Sequence, residues 1–184
     1  MLDLETLDTG PDAVVIGIGA IAFDPESQKL GDTFYVEMSD DIDAQQRLGR
    51  TISGGTLTWW MGQNTEARAI FSKDGVSPDI RIHTYDALQK FKSFVEANGA
   101  GTAMLWGNGA NFDNVILRNL YSAFGMVAPW KFYNDRCHRT VKNLAITLHN
   151  PEFQERIGTH HNALDDAITQ AVHLQRAFEC LKPR

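Results

Sequence analysis

The segment GTHHNALDDAITQA places two adjacent histidines, His160 and His161, shortly before two adjacent aspartates, Asp165 and Asp166. Histidine is the side chain that enzymes use most often as a general base, and carboxylates hold divalent cations through their oxygens. Both pairs also have a purely structural interpretation, because acids in the first turn of a helix favour its dipole. The segment alone therefore offers four candidates and does not choose between them.

A second pair of acids, Asp3 and Glu5, lies at the start of the chain in the segment MLDLETLD. Side chains two residues apart on a strand share a face, so both carboxylates point one way while Leu2 and Leu4 point the other. Two carboxylates on one face of a hydrophobic strand repel each other and lose hydration. A divalent cation between them removes both costs, and oxygen ligands favour Mg²⁺ or Mn²⁺ over zinc. A frayed terminus with two solvated acids is the competing interpretation.

The segment LWGNGANFDNVIL contains a fifth acid of interest, Asp113. A short buried strand is predicted to end at Trp106, and a loop rich in glycine and asparagine leads from it to a helix that Asp113 begins. Polar residues just beyond the carboxyl end of a strand are where α/β sheets bind ligands. Aspartate is also a common helix N-cap, and for this residue taken alone the capping role is the simpler interpretation.

Charge and composition limit the partners that this chain can have. It has 184 residues and a formal net charge of −6, so it is not expected to coat nucleic acid with its whole surface. The longest apolar run is roughly ten residues, far short of the ~20 that cross a bilayer, and the two cysteines form no metal or disulfide pattern. We expect a cytoplasmic protein with no membrane partner, folded as a single domain over residues 1–184.

Residues 131–142 form a candidate basic patch, in which cations far outnumber the single acid Asp135. The basic side chains are Lys131, Arg136, Arg139 and Lys142, together with His138. Such a patch is typical of phosphate contacts, although a solvated helix start would have the same composition.

Trp59, Trp60 and Trp106 are candidates for stacking on bases. Adjacent residues of a helix cannot share a face, so at least one of Trp59 and Trp60 is expected to pack in the core.

The order of the predicted elements indicates an α/β fold with a mixed sheet. Short, turn-rich links between the first three strands predict an antiparallel meander, and helices then alternate with strands. The predicted strands are residues 1–6, 13–23, 33–39, 102–106 and 131–135. The predicted helices are residues 56–71, 84–98, 113–124, 139–149 and 162–181, with Thr84 as an N-cap and Gly99 as a terminator.

Taken together, the acidic segments resemble the DnaQ-like 3′–5′ exonucleases, in the DEDDh subclass that uses four acids and a histidine. Residues 3–6, DLET, match the first motif of that family, and residues 111–113, NFD, match the second. Residues 161–167, HNALDDA, match the third motif, His-x-Ala-x-x-Asp-Ala. His160 with Asp165 has the same spacing but places asparagine where the family has alanine. The resemblance spans nearly the whole chain and is closest to the branch of phage exonuclease A and the bacterial 3′–5′ exoribonuclease-like domains.

The resemblance implies a ribonuclease H-like fold, with a five-stranded mixed β-sheet flanked by α-helices. It implies a phosphodiesterase that uses two Mg²⁺ or Mn²⁺ ions and releases nucleoside 5′-monophosphates from the 3′ ends of single-stranded DNA or RNA, with DNA slightly favoured. The implied metal ligands are Asp3, Glu5, Asp113 and Asp166, and the implied general base is His161. The substrate-contact candidates are Thr6, Leu7, Asn111, Phe112, Arg136 and Arg139.

Several alternatives stay open at this point. The protein could trim RNA, since the choice between RNA and DNA depends on contacts to the 2′-hydroxyl that the sequence does not reveal. A proofreading subunit is less expected, because no partner-binding tail is apparent. A catalytically idle nucleic-acid-binding or adaptor domain is less expected, because all five catalytic-type positions are filled. Both a monomer and a homodimer are compatible with the sequence.

Overall fold

A computed structural model describes residues 1–72, 80–99 and 101–182 of the chain. A five-stranded sheet with the order β3-β2-β1-β4-β5 forms its centre. The strands are β1 (Leu2–Thr6), β2 (Val15–Phe23), β3 (Leu30–Glu37), β4 (Leu105–Gly107) and β5 (Asp135–Cys137). The first three strands form an antiparallel meander, whereas β4 runs parallel to β1 and β5 runs parallel to β4. The predicted mixed sheet and ribonuclease H-like fold are confirmed.

Helices cover both faces of this sheet. They are α1 (Ile42–Arg47), α2 (Gly54–Met61), α3 (Thr65–Arg68), α4 (Thr84–Gly99), α5 (Asp113–Ala123), α6 (His138–His149) and α7 (Ala163–Leu181). Residues of α4 and α5 such as Phe91 and Leu117 form one core with the sheet. On the opposite face, α7 packs on β1 and β2 and is flanked by α6. Within the described residues, no helix combines the length and the apolar character that crossing a bilayer requires.

The side chains of β1 point alternately to the two faces of the sheet. Leu2 and Leu4 are buried in the core below α4 and α5, as the alternating pattern predicts. Asp3 and Glu5 consequently face α7 on the other side. The core thus fixes the direction in which the two carboxylates point, because a register shift of one residue would bury them among leucines and phenylalanines.

The predicted helix over residues 56–71 is wrong in its boundaries and its continuity. Ser53, not Thr56, is the N-cap of α2, and its hydroxyl accepts a hydrogen bond from the Thr56 N–H at 3.3 Å. α2 ends before Gly62, and Asn64 then caps α3, whose last turn continues as a 3₁₀ turn. Two good caps within a dozen residues break a segment that periodicity alone describes as one helix.

Smaller differences concern other boundaries. The fifth strand is Asp135–Cys137 rather than 131–135, because Phe132–Asn134 form a 3₁₀ turn. Thr84 does not cap α4: its hydroxyl accepts a hydrogen bond from Gln45, and its N–H donates to Asp41 at 2.8 Å. The remaining predicted helices lie within a few residues of α4, α5, α6 and α7.

Candidate active site

The acids of β1 lie beside two glycines of β2. Asp3 is paired with Gly19, and Glu5 with Gly17, so that the side-chain face next to both carboxylates is empty. A Cβ at position 19 would overlap the backbone of Ala163. Gly19 therefore allows the first turn of α7 to lie directly on the sheet, which brings that turn to the acids.

Asp166 is the residue of α7 that lies beside Asp3 and Glu5 because of this close contact between α7 and β2. It is buried, and its carboxylate oxygens come within 4.8 Å of those of Asp3 and Glu5. Such a group of oxygens suits a hard divalent cation.

Asp113 joins the group from the start of α5. It is 3% exposed, and its carboxyl group interacts with the backbone N–H groups of Leu4 and Asn108. Gly107, the last residue of β4, leaves the space that this side chain fills, since a Cβ there would lie 2.9 Å from the Asp113 carboxylate. Phe112, not Asp113, is the N-cap of α5, so Asp113 does not perform the capping role considered above.

The electrostatics of these acids are unfavourable in the absence of a cation. Burial, followed by repulsion from Asp113, raises the pKa of Glu5 to about 8. Burial raises the pKa of Asp113 to about 7, and burial together with both neighbouring acids raises the pKa of Asp3 well above its usual range. Glu5 Oε1 is buried and has no hydrogen-bond partner among the described residues. Orphaned carboxylate oxygens of this kind are what a metal ligand presents before the ion binds.

The two adjacent aspartates have different surroundings. The Asp165 carboxylate accepts a hydrogen bond from the Thr159 N–H at 2.6 Å and lies against Gly158, which has a positive φ of 67°. Asp165 therefore holds the chain leading into α7, while Asp166 points into the cleft.

The two adjacent histidines stack on each other, with ring centroids 3.7 Å apart. Each offers a ring nitrogen within 4.8 Å of an Asp166 oxygen. His161 is the more enclosed of the two, because its ring also meets Trp59 edge-on at 4.7 Å. His161 has a φ of 63°, an uncommon conformation for a residue other than glycine, and its N–H donates to Asp166 at 3.2 Å. Burial, His160 and Arg156 lower the pKa of His161 to about 4.

Two further residues of the cleft did not emerge from the sequence. Arg156 lies on the segment between α6 and α7, and its Nη1 contacts Asp166 Oδ1. The Gln170 side chain donates to Asp3 Oδ1 at 2.7 Å and is 8% exposed. Gln170 had a readable signal, because it follows Asp166 by four residues and so shares its helix face. Arg156 had none, because its segment has no regular structure.

The predicted substrate contacts are divided by the structure. Thr6 and Phe112 line a cleft of about 510 Å³ that also contains Asp3, Glu5, Asp166 and both histidines. Leu7 is 1% exposed, packs in the core with Val14 and Ile16, and does not line the cleft. Asn111 is exposed and does not line the cleft, whereas Asn108 of the same loop does.

The basic patch also does not lie on one surface. Arg139 and Lys142 line a smaller cavity beside the cleft. Arg136 lines a separate cavity with Trp106 and Phe178, and its guanidinium donates to the carbonyl oxygens of Tyr133 and Asp135. Arg136 therefore does not line this cleft, and its phosphate contact stays a prediction.

Trp59 and Trp60 follow the expected division, whereas Trp106, also considered for base stacking, does not line the cleft. Trp60 is 2% exposed, and its indole N–H donates to the Thr6 carbonyl oxygen at 2.9 Å. Trp59 is 44% exposed at the rim of the cleft. Trp106 is buried in the core beneath α7.

Comparison with known proteins gives two concordant matches. The family model described as the Rv2179c-like 3′-5′ exoribonuclease domain matches residues 1–178. The exodeoxyribonuclease of Enterobacteria phage T4 is 30% identical over 160 residues, which cover 76% of this chain and 68% of the phage protein. The family match extends across β1, α5 and α7, the elements that carry the four acids.

Proposed function

The chain belongs to the family of Rv2179c-like 3′-5′ exoribonuclease domains, within the DnaQ-like 3′–5′ exonucleases, and from this we propose that it is a metal-dependent 3′–5′ exonuclease of the DEDDh type. It removes nucleoside 5′-monophosphates from the 3′ end of single-stranded DNA. The observation that carries the proposal is the convergence of Asp3, Glu5 and Asp166 from β1 and α7, with Asp113 of α5 near enough to raise the pKa of both β1 acids. Glu5 Oε1 has no hydrogen-bond partner within the described residues.

Asp3, Glu5, Asp113 and Asp166 are the residues that would hold two Mg²⁺ or Mn²⁺ ions. Bound divalent ions lower the pKa of an attacking water and stabilise the charge on a leaving oxygen. Asp3 is kept in place by Gln170, and the backbone N–H groups around Asp113 orient its carboxylate. The protein therefore supplies fixed oxygens whose like charges favour cation binding.

His161 is the general base in this proposal. Its depressed pKa keeps the imidazole neutral at pH 7, so a ring nitrogen is free to take a proton from the attacking water. The water attacks the phosphorus of the terminal phosphodiester. The bond from phosphorus to the 3′-oxygen of the preceding nucleotide breaks, and the terminal nucleotide leaves as a nucleoside 5′-monophosphate. The edge contact with Trp59 limits rotation of the imidazole.

The terminal nucleotide would bind beside aromatic side chains of the cleft. Trp59 and Phe112 offer surfaces on which a base can stack, and stacking of this kind accepts any base. Thr6, at the end of β1, lines the same part of the cleft.

The relative from phage T4 is an exodeoxyribonuclease. This similarity supports DNA as the proposed substrate of the present chain. The family description names an exoribonuclease, so RNA trimming is the second candidate function. The DNA proposal requires that the cleft gain little from a 2′-hydroxyl at the terminal nucleotide.

The test uses single-stranded DNA and RNA of one sequence, labelled at either end, with Mg²⁺, Mn²⁺ or EDTA. We expect the 3′ label to be released at once as a mononucleotide, the 5′-labelled DNA to shorten stepwise, and both reactions to stop in EDTA. Glu5→Gln, which keeps the size of the side chain, should be inactive. Faster digestion of RNA would transfer the proposal to the second candidate, and metal-independent binding without shortening would replace it with an idle binding domain.

A further inference from the structure

A polar cavity of about 300 Å³ adjoins the cleft on the side of α6. The two spaces are neighbours, because Asn108, Arg156, Asp166 and Gln170 line both. The walls that belong to the cavity alone come mainly from α6 and α7. None of its residues is required for the metal-binding arrangement described above except Asp166 and Gln170.

Positive charge exceeds negative charge in this cavity. Arg139, Lys142 and Arg156 line it, against the single carboxylate of Asp166, which Arg156 already contacts. Across residues 1–72, 80–99 and 101–182, neither Arg139 nor Lys142 forms a salt bridge. Two cations therefore line this space without a salt bridge among the described residues; the carboxyl group that Arg139 influences is that of Asp113, whose pKa it lowers.

The hydrogen bonds of Lys142 leave its charge unbalanced. Its ammonium group lies 3.1 Å from His173 Nδ1, and His173 Nε2 lies 2.8 Å from the Gln154 carbonyl oxygen. Nε2 must carry a proton to donate to that carbonyl, so a neutral His173 accepts from Lys142 through Nδ1. The hydrogen-bond partner of Lys142 is thus neutral, and its ammonium also lies 4.7 Å from the centroid of the Phe153 ring. Within the part of the chain that the structure describes, the other two N–H groups have no hydrogen-bond acceptor.

His138 adds a second, independent sign that a ligand is missing. It is 3% exposed, its Nδ1 lies 3.0 Å from Asn108 Oδ1, and its Nε2 is buried without a partner among the described residues. Burial, followed by Lys142, His173 and Arg139, lowers the pKa of His138 to about 3. Leaving a buried ring nitrogen unpaired is unfavourable. When Nδ1–H donates to Asn108, the neutral ring presents Nε2 as an acceptor; an anion in the cavity would favour the doubly protonated ring, whose Nε2–H could donate to it.

We propose that this cavity binds the phosphate that lies one nucleotide 5′ of the scissile phosphodiester. This rests on the proposed exonuclease function, which places the scissile phosphate in the adjoining cleft. A polynucleotide carries one phosphate per nucleotide, so a strand seated there must place its next phosphate close by. Arg156, which borders both spaces, lies between the two phosphate positions. The cavity would hold the strand while its last nucleotide is removed.

Binding of inorganic phosphate in EDTA, measured by titration calorimetry, tests the cavity without any catalysis. Without metal, the acids of the cleft repel phosphate, so binding reports the basic cavity. We expect Lys142→Met to weaken binding about tenfold or more, as loss of a charge-assisted hydrogen bond should. Lys90→Met, the same change at an exposed lysine of α4, should bind like the natural protein. Arg139→Gln serves as a second variant if Lys142→Met does not fold.

Cleavage of two dinucleotides then tests the role of the cavity. The pair differs only in a 5′-phosphate or a 5′-hydroxyl, and only the former supplies the second phosphate. We expect the natural protein to favour the 5′-phosphorylated dinucleotide about tenfold in kcat/KM, and Lys142→Met to lose that preference. Equal cleavage of both dinucleotides, or unchanged phosphate binding by Lys142→Met and Arg139→Gln, would overturn the inference. Lysine-dependent phosphate binding without cleavage of any substrate would support the anion site and overturn the exonuclease proposal instead.

Discussion

The two walls of the cleft are built on different kinds of backbone. Asp3 and Glu5 lie on β1, which is hydrogen-bonded to β2 on one side and to β4 on the other. Arg156 and both histidines lie on residues 150–162, which have no helix or strand. That segment is held by side chains of α6 and α7, such as Lys142 over the Phe153 ring and Thr169 against Ile157.

The two walls are therefore suited to different tasks. The acids of β1, which we call the sheet wall, would bind metal, whereas residues 150–162, which we call the loop wall, can adjust their position. Carboxylates on a central strand keep their spacing, which suits ligands that must be ready before the ion arrives. A loop-borne histidine and arginine can shift when substrate enters, at the cost of less defined positions. The catalytic contribution of the sheet wall should therefore depend on charge, and that of the loop wall on position.

The largest effect is expected where the two walls meet, at Asp166. Asp166→Ala removes an oxygen ligand from the group around Asp3 and Glu5 and should abolish metal-dependent cleavage. Asp165→Ala removes only the hydrogen bond to Thr159, so it should retain activity and lose some thermal stability. Rates measured for both variants on one DNA substrate decide the assignment. If Asp165→Ala is the inactive variant, the motif has been aligned one residue too late.

The loop wall is tested by the histidine pair. His161→Ala should lower kcat by ~10²–10⁴, the usual contribution of a general base, while metal binding is kept. His160→Ala removes the stacked neighbour but not the Trp59 contact, so a much smaller loss is expected. Single-turnover rates separate the chemical step from product release. A larger loss for His160→Ala would make His160 the base.

The sequence predicted the sheet wall better than the loop wall, for physical reasons. Alternation along β1 fixed the face of Asp3 and Glu5, because only one register buries Leu2 and Leu4. The role of Gly19 was not readable, since a glycine shows its purpose only when the backbone that approaches it is known. Helix spacing places Gln170 on the same face as Asp166, but the sequence does not show that its amide reaches Asp3 on a distant strand.

Predictions for the segment before α7 were limited to motif matches. The motif identified His161 and Asp166 through their spacing, whereas Arg156 and Asn108 depend on loop conformation, which short-range patterns do not determine. The basic patch is divided for a related reason. The chain passes from β5 into α6 between Arg136 and Arg139, so these near neighbours in sequence line different cavities.

Gln170 offers an intermediate effect, because it supports the sheet wall from α7. Gln170→Ala removes the donor to Asp3 Oδ1, and loss of such a supporting hydrogen bond typically costs 10–100-fold in metal affinity or activity. We expect the Mg²⁺ concentration for half-maximal activity to rise. Gln175→Ala is the matched control on the same helix, because Gln175 is also buried but bonds to Asp24 and Lys29. If both variants raise the Mg²⁺ requirement equally, the effect belongs to helix packing.

The smallest effect is thermal and reports the charges of the sheet wall directly. Folding raises the pKa of Glu5 from 4.5 to about 8 and that of Asp113 from 3.8 to about 7. In EDTA the folded state retains protons that the unfolded state has released, so this contribution to stability is lost as pH rises towards 8. Mg²⁺ binds the deprotonated acids and reverses the loss.

The increase in Tm that Mg²⁺ causes over EDTA should therefore be larger at pH 8 than at pH 6.5. Each kcal/mol recovered corresponds to about 2–4 °C for a protein of this size. Groups outside the cleft titrate alike in both samples and cancel in the difference. Asp113→Asn, which removes one of the repelling charges, should shrink the difference between the two pH values. A Tm increase that is independent of pH would mean that the acids are already ionised without metal, and that the sheet wall is less enclosed than the fold indicates.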